Sequence, residues 1–286
     1  MLTHYFPLSL TSTKKSIKLT DSIFLLRFDH PRVRRLIGIE DIAVSEIGHT
    51  SAISYKTSSV WPTWWIHLRS ENPTHNFRNQ LCNFVLATST REEAILVAFA
   101  LKLMGGTLSG PFVGFSEGGN SVQFLRFRPW WGKDFLKLES PEIKLLRKLV
   151  ADLSAIPITP KLSTIMEIYR YAESADVPTA SLRYLQLAII LEMLFLPQKA
   201  SELGYRFQLR VAKWFHRFYK EDPKTIASIA ATIYKIRSTV AHKGVAIVTD
   251  EDMNNVRDIT RRALRYFVID PSVFTDTFFD SLCLKG

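Results

Sequence analysis

The chain has 286 residues, of which 47% are hydrophobic and 22% are charged, and its formal net charge is +10. This composition is typical of a globular protein with a buried core and excludes fibrous and strongly disordered classes. The longest apolar run, residues 184–196, contains Gln186 and Glu192. It is shorter than the roughly 20 apolar residues that a membrane-spanning helix needs. We therefore expect two compact domains and no association with a membrane.

The excess of lysine and arginine favours an anionic partner, and nucleic acid is the first candidate. The two cysteines, Cys82 and Cys283, are far apart and lack the spacing of zinc ligands. The N-terminus shows neither the basic and apolar blocks nor the cleavage pattern of a secretory signal. These features predict a cytoplasmic protein that uses no metal or other cofactor.

Residues 1–138 contain short apolar or alternating runs bounded by Gly, Pro, Asn and Ser, which is typical of strands and turns. The strand candidates are SIFLLRF at 22–28, AISYK at 52–56, WWIHLR at 64–69, PFVGF at 111–115 and SVQFLRFRP at 121–129. One helix is predicted after Ser89 or its neighbour, with a capping box at its start and Gly105-Gly106 at its end. We expect an α+β domain with a mainly antiparallel sheet.

Residues 139–286 show helical periodicity instead. Apolar residues recur at helical spacing near 140–154, 162–175, 179–196, 200–220, 223–243 and 250–268. Prolines and Gly244 separate these segments, as expected for residues that start or end helices. The second domain is therefore predicted to be an all-α bundle.

Residues 114–118 read Gly-Phe-Ser-Glu-Gly and match the G-x-S-x-G turn of esterases. In that motif Ser116 would sit between a strand and a helix. Here Gly119-Asn120 and a second strand pattern follow, which predicts a β-hairpin. An esterase is therefore only a weak alternative.

An arginine precedes a histidine by five or six residues at three places. The pairs are Arg69–His75, Arg210–His216 and Arg237–His242. Spacing alone does not choose among them. The third pair is different because it ends a predicted helix, where Gly244 suits a C-terminal cap. We take Arg237 and His242 as the candidate catalytic residues.

The helix that carries this pair constrains how the two side chains can cooperate. At 100° per residue, Arg237 and His242 point about 140° apart, whereas Tyr234, Ser238 and His242 share one stripe. One copy of the helix cannot easily aim both residues at one atom. Two copies that meet across a two-fold axis could do so, and the spacing therefore favours a homodimer.

The pattern Tyr234-x-x-Arg237-Ser238-x-x-x-His242-x-Gly244 resembles the signature of HEPN ribonucleases. Preceding motifs follow the order and spacing of the Apea-like HEPN group, namely Leu191-Glu192-x-Leu194-Phe195, Ser201-Glu202-Leu203, Arg206 and Arg210-x-Ala212. The resemblance covers residues 160–270, and residues 1–138 resemble no family that we can name. One departure is Lys243, which stands where many members have a glycine directly after the histidine.

The resemblance implies a metal-independent endoribonuclease whose composite site lies in a homodimer interface. His242 would act as general acid or base at the ribose 2′-hydroxyl, and Arg237 would stabilise charge on the scissile phosphate. Supporting roles would fall to Ser238, Tyr234, Glu202 and Arg210. The family's association with toxin and anti-phage systems implies a defence effector. The alternative is a HEPN module without catalysis, which binds nucleic acid or dimerises.

Basic residues recur along the helix that precedes the pair. Arg206, Arg210, Lys213 and Arg217 share one face, and they could guide RNA phosphates together with Lys243. Arg210 could instead form an ion pair with Glu202 or Glu192 inside the bundle. The last predicted helix repeats the design with Arg257, Arg261 and Arg265, which could equally serve the dimer.

The α+β domain has no assigned role in this scheme. A nuclease that is potentially toxic to its own cell needs restraint. We therefore expect residues 1–138 to recognise a phage or host trigger and to gate the helical domain.

Overall fold

A computed structural model describes residues 4–8, 12–14, 16–27, 30–31, 39–47, 50–57, 84–105, 112–116, 119–125, 136–173, 177, 179–198 and 202–284. The chain divides into two compact units, Met1–Val150 and Ala151–Gly286. Each unit is described by itself.

The N-terminal unit is built on two antiparallel sheets. The strands are β1 His4–Leu8, β2 Ser16–Lys18, β3 Phe24–Arg27, β4 Ile39–Ile47, β5 Thr50–Thr57, β6 Phe84–Thr88, β7 Phe112–Ser116 and β8 Gly119–Leu125. Six of them form a sheet in the order β2-β3-β6-β1-β7-β8, and β4 pairs with β5. Every strand pairing in the described residues is antiparallel. The prediction of a mainly antiparallel sheet is therefore confirmed.

Strand β1 was not predicted, because Pro7 lies within it and proline is rare inside sheets. The pairing explains how the proline is tolerated. β1 pairs with β6 along its whole length, but with β7 only through His4 and Tyr5. Pro7 therefore lies beyond the β7 pairing, and its missing N–H breaks no bond to that strand. Strands β2, β4 and β6 were also missed, and WWIHLR lies outside the described residues.

The G-x-S-x-G segment lies in a hairpin. Ser116 ends β7 and is in register with Gly119 at the start of β8. The two residues between them lie outside the described part of the chain. The segment therefore joins two antiparallel strands, as predicted, rather than a strand and a helix.

Helix α1, Arg91–Leu103, begins and ends as its sequence predicts. The Thr90 hydroxyl accepts a hydrogen bond from the Glu93 N–H, and the Glu93 carboxylate accepts one from the Thr90 N–H. This reciprocal capping box satisfies two N–H groups that the first turn leaves without helical partners. Gly105, with φ of +76°, follows the last turn.

Helix α2, Ser140–Ala155, crosses the division between the units. Its first turns belong to the N-terminal unit, because Arg147 Nε donates a 2.8 Å hydrogen bond to the Lys18 carbonyl. The hydroxyl of Ser12 also donates to the Leu138 carbonyl at 2.6 Å. The division at Val150 thus lies further along the chain than the expected boundary at 138/139.

Every regular element in the described residues of the C-terminal unit is a helix or a 3-10 turn. Its elements are α3 Pro160–Ala172, α4 Ala180–Phe195, α5 Leu203–Tyr219, α6 Pro223–Lys243, α7 Asp250–Ile269, a 3-10 turn Pro271–Val273 and α8 Asp276–Leu284. Side chains of Thr159, Thr179, Asp222 and Thr249 cap the first turns of α3, α4, α6 and α7. The prediction of a helical second domain is confirmed, and α8 is an additional helix.

Helix α4 is the centre of this unit. It packs against α3, α5, α6 and α7, and most of its apolar residues are buried, although Leu182 is exposed. At its C-terminal end, the Phe195 ring lies 5.6 Å from Trp214 and 5.5 Å from both Phe274 and Phe279, measured between centroids. This aromatic cluster joins α4 to α5, the 3-10 turn and α8.

A buried arginine fastens α8 to the bundle. The Arg210 side chain, only 4% exposed, donates to Asp276 at 2.7 Å and to Asp280 at 3.2 Å. Its Nη1 also donates to the Phe195 carbonyl at 3.0 Å, and the guanidinium lies 5.0 Å from the Phe279 ring centroid. Two carboxylates, a carbonyl and a ring thus offset the cost of burying this charge.

Replacing Arg210 with methionine should therefore destabilise the folded state. The variant keeps the aliphatic stem but leaves Asp276 and Asp280 without their cation. We expect a loss of about 3 kcal/mol in the free energy of unfolding, near the lower limit for a broken buried pair because Asp280 is partly exposed. Chemical denaturation measures it. The control is Arg217→Met, an exposed position of the same helix, which should change stability by less than about 0.5 kcal/mol. Equal losses of stability in the two variants would refute the role of Arg210 in holding α8 against the bundle.

Candidate functional site

Arg237 and His242 lie on one continuous helix, α6. Asp222 caps the start of this helix, and Gly244 ends it with φ of +76° and an N–H that donates to the Val240 carbonyl at 2.8 Å. Over five residues an α-helix rises about 7.5 Å and turns through about 140° beyond one full turn. The two side chains therefore leave α6 in different directions, as the sequence predicts.

His242 lies in the last turn of α6 and is exposed to solvent. Its imidazole has no hydrogen-bond partner among the described residues. The segment after the helix is fixed, because the buried hydroxyl of Ser181 donates to the Ala246 carbonyl at 2.8 Å. The N–H of Ala246 in turn donates to Ser181 Oγ at 3.3 Å. His242 thus stands on an anchored helix end with its ring accessible.

Arg237 is held by a carboxylate of α4. Its Nη2 donates to Glu192 Oε2 at 2.8 Å, with side-chain exposures of 29% for Arg237 and 20% for Glu192. Burial raises the pKa of Glu192, and the Arg237 charge opposes that rise without cancelling it. The Arg237 Nε is buried and has no hydrogen-bond partner in the described structure. The guanidinium is therefore oriented by one partner and retains unused donor capacity.

Tyr234 supports the junction of α5 and α6 rather than facing freely into solvent. Its ring centroid lies 6.0 Å from that of Phe207. A Cβ added to Gly204 would stand 3.0 Å from Tyr234 Cε1, closer than side chains normally approach. The glycine thus allows the Tyr234 ring to lie against the first turn of α5. Ser238 is half-buried, and its hydroxyl has no hydrogen-bond partner in the described structure.

The other expected supporting residues, Glu202 and Arg210, make no contact with this pair in the described structure. Glu202 is exposed at the N-terminus of α5 with φ of +55°, and its carbonyl accepts the Arg206 N–H at 3.0 Å. Arg210 contacts the carboxylates of α8, not Glu202 or Glu192 as the sequence suggested. Glu192 pairs with Arg237 instead.

The basic face of α5 is not continuous. Arg206 and Lys213 are half-buried and Arg217 is exposed, but Arg210 between them is buried beneath α8. Burial raises the pKa of the Cys283 thiol on α8. The charges of Arg210, Lys213 and Arg206 act to lower this pKa but do not outweigh the burial. Helix α8 therefore covers part of the surface that the sequence assigned to RNA. Lys243, at the end of α6, is exposed.

Sequence reasoning did not assign the functions of two charged residues on α4. Glu192 reaches α6, and Arg183, only 7% exposed, faces the side occupied by Arg257 and Glu173. The signal was available, because both residues interrupt an otherwise apolar helix. A charge in such a position needs a partner from a neighbouring element. The sequence does not say which element supplies it.

Comparison of the chain with protein-family models, curated proteins and solved structures finds no match. Within the described ranges, no group of three or more His, Cys, Asp or Glu residues is placed to hold a metal ion. None of the helices described is both long and apolar enough to cross a lipid bilayer. The geometry of α4 and α6 therefore carries the functional interpretation.

The raised pKa of Glu192 predicts a pH dependence of stability. Because the folded-state pKa lies above the ordinary value of 4.5, protonated Glu192 stabilises the fold below that value. This stabilisation is lost as pH rises through the higher folded-state pKa. We expect the free energy of unfolding of wild type, relative to Glu192→Gln, to fall as pH rises above the ordinary carboxyl value of 4.5, measured by urea titration. A relative stability that rises with pH would mean that the Arg237 ion pair outweighs burial.

Proposed function

We propose that this protein is a metal-independent endoribonuclease of the HEPN type, acting in the cytoplasm as a toxin or anti-phage effector. The observation that carries the proposal is the arrangement on α6. An accessible His242 stands at an anchored helix end, and Arg237 on the same helix is oriented by Glu192. Both residues fall in the motif that resembles the HEPN signature.

The chemistry needs few protein groups. RNA supplies its own nucleophile, the ribose 2′-hydroxyl, which attacks the adjacent phosphorus while the 5′-oxygen leaves. His242 would accept the proton of the 2′-hydroxyl or donate one to the leaving oxygen, a role that contributes about 10² to 10⁴-fold. Arg237 would donate hydrogen bonds to the phosphate oxygens as negative charge develops. The products are a 2′,3′-cyclic phosphate and a 5′-hydroxyl.

A homodimer is part of the proposal. The angle of about 140° between the directions of Arg237 and His242 makes it difficult for one α6 to present both groups to one phosphate. Two α6 helices related by a two-fold axis would combine Arg237 of one copy with His242 of the other. Ser238 and Tyr234, on the His242 stripe, would help to position the imidazole. Arg206, Lys213, Arg217 and Lys243 would contact RNA phosphates near this site.

Substitution of either candidate catalytic residue should abolish RNA cleavage in the presence of EDTA. We expect Arg237→Ala and His242→Ala each to reduce the rate by about 100-fold or more, because each removes a group needed in the transition state. The assay follows a labelled RNA and identifies its end groups. The double variant Glu192→Gln, Arg237→Ala removes the arginine without leaving an unpaired carboxylate.

The matched control is His216→Ala on α5. This histidine also follows an arginine by six residues and is exposed, but its Nδ1 contacts the Glu221 carbonyl at 2.9 Å. The control should retain wild-type cleavage. Unchanged cleavage in both Arg237→Ala and His242→Ala would eliminate the nuclease proposal, as would products with a 3′-hydroxyl.

A second candidate function is a HEPN module that binds nucleic acid or dimerises without catalysis. The Glu192–Arg237 ion pair favours it, because an arginine that joins α4 to α6 can be explained by packing alone. The two candidates differ in a measurable way. The noncatalytic module would bind RNA without cleaving it, and Arg237→Ala would lower its stability without changing any reaction.

The proposal assigns a gating role to the N-terminal unit, which would recognise a phage or host trigger. Expression of residues 139–286 alone should then harm cells more than expression of the full chain, since the restraint is missing. Growth after induction measures the effect, and His242→Ala in the fragment is the control that should relieve it. Equal harm from fragment and full chain would remove the support for gating.

A further inference from the structure

The segment between α6 and α7 carries two of the most exposed apolar side chains of the described residues. Val245 is 65% exposed and Ile247 is 92% exposed. Ala246 and Val248, which alternate with them, are half-buried. This alternation over residues 245–248 is the pattern of an extended chain, because successive side chains of a strand point to opposite faces.

Ser181 fixes the direction of the backbone in this segment. Its hydroxyl donates to the Ala246 carbonyl at 2.8 Å, and the Ala246 N–H donates to Ser181 Oγ at 3.3 Å. One oxygen can meet both groups only when they point to the same side, as the N–H and C=O of a residue do in an extended chain. The corresponding groups of Val245 and Ile247 therefore point to the opposite side. They have no hydrogen-bond partner in the described residues.

Opposite charges flank this open edge. The last turn of α6 contains His242 and Lys243, and the first turn of α7 contains Asp250 and Glu251. All four are exposed, and Lys243, Asp250 and Glu251 form no ion pair in the described structure. When two copies of this segment run antiparallel, the basic end of each meets the acidic end of the other. The segment is therefore complementary in charge to a second copy of itself.

We propose that residues 245–247 pair as antiparallel strands with the same residues of a second copy of this chain, across a two-fold axis at Ala246. Val245 of each copy would lie opposite Ile247 of the other, and the two residues would exchange N–H···O=C bonds in both directions. Their side chains would share one face, where β-branched residues on neighbouring strands pack well. A two-fold contact of this kind uses the same surface of both copies.

This inference rests on the homodimer of the proposed function and names its contact surface. His242 precedes the strand by three residues. The axis therefore passes between the two helix ends that carry the imidazoles, as a composite site requires. The antiparallel direction also brings Asp250 of the second copy toward His242, whose imidazole has no partner among the described residues of its own chain.

Sedimentation velocity of the full-length chain over a series of concentrations, without RNA, gives the dissociation constant of the dimer. Ile247→Asp should raise this constant by about 10-fold or more, because a charge replaces an apolar contact and the substitution occurs twice in the dimer. The matched control is Leu284→Asp at the end of α8, where the side chain is 86% exposed. It should leave the constant unchanged. Thermal melts check that both variants fold.

A charge exchange tests the antiparallel direction. Lys243→Glu and Asp250→Lys should each weaken the dimer in the absence of RNA, since each places like charges beside one another. The double variant Lys243→Glu, Asp250→Lys restores opposite charges and should recover most of the lost affinity. A double variant that dimerises no better than either single variant would overturn the antiparallel pairing.

The outcomes for the interface and for the nuclease are distinguishable. A dimer of unchanged affinity in Ile247→Asp would overturn the interface, and RNA cleavage by the same protein would leave the nuclease proposal standing. A wild-type chain that stays monomeric would also overturn the interface, and the RNA cleavage assay would decide the reaction independently. Loss of the dimer in Ile247→Asp but not in Leu284→Asp, in a protein that cleaves no RNA, would support the interface and refute the nuclease proposal alone.

Discussion

The burial of α4 is the constraint on which the C-terminal unit depends. Four helices pack around it, and most of its surface faces another helix rather than water. An unpartnered charge in that position would be costly. Two polar residues of α4 make contacts with α6 and the segment after it. Ser181 fixes the segment after α6, and Glu192 fixes Arg237 on α6. The packing of α4 thus positions both Arg237 and the segment that follows His242.

The arginines with a structural role differ from Arg237 in the number of carboxylates around them. Arg210 and Arg262 each have two carboxylates within 3.2 Å, and each also lies over an aromatic ring. Their charges are balanced inside the chain, and they hold helices together. Arg237 has one carboxylate and remains partly exposed. In the proposed function, a phosphate would complete the environment of Arg237 but would find no place beside Arg210 or Arg262.

The single partner of Arg237 has a consequence for the proposed reaction. Glu192 orients the guanidinium but also neutralises it, so a phosphate must compete with the carboxylate or share the arginine with it. Burial already disfavours the ionised form of Glu192. Further loss of water around the pair, as at an interface between two copies, would strengthen that preference. In the proposed dimer, a protonated Glu192 would leave the charge of Arg237 available to RNA, and one carboxyl group would then link dimerisation to substrate binding.

The sequence by itself determined the local features of this protein. Prolines, Gly244 and helical periodicity placed α3 to α7, and the capping box placed α1, because these signals act between residues close in the chain. Strand β1 was not predicted because it contains Pro7, and the sequence does not show that the pairing with β7 ends before this proline. Only the tertiary structure decided which charges meet. Arg210 lies beside α8 and Glu192 beside Arg237 because the packing of α4 and α8 selects those partners, whereas the helical pattern allows several. His242 could be chosen from its helix end, but its exposure and the anchoring of the segment after it by Ser181 required the folded arrangement of α4 and α6.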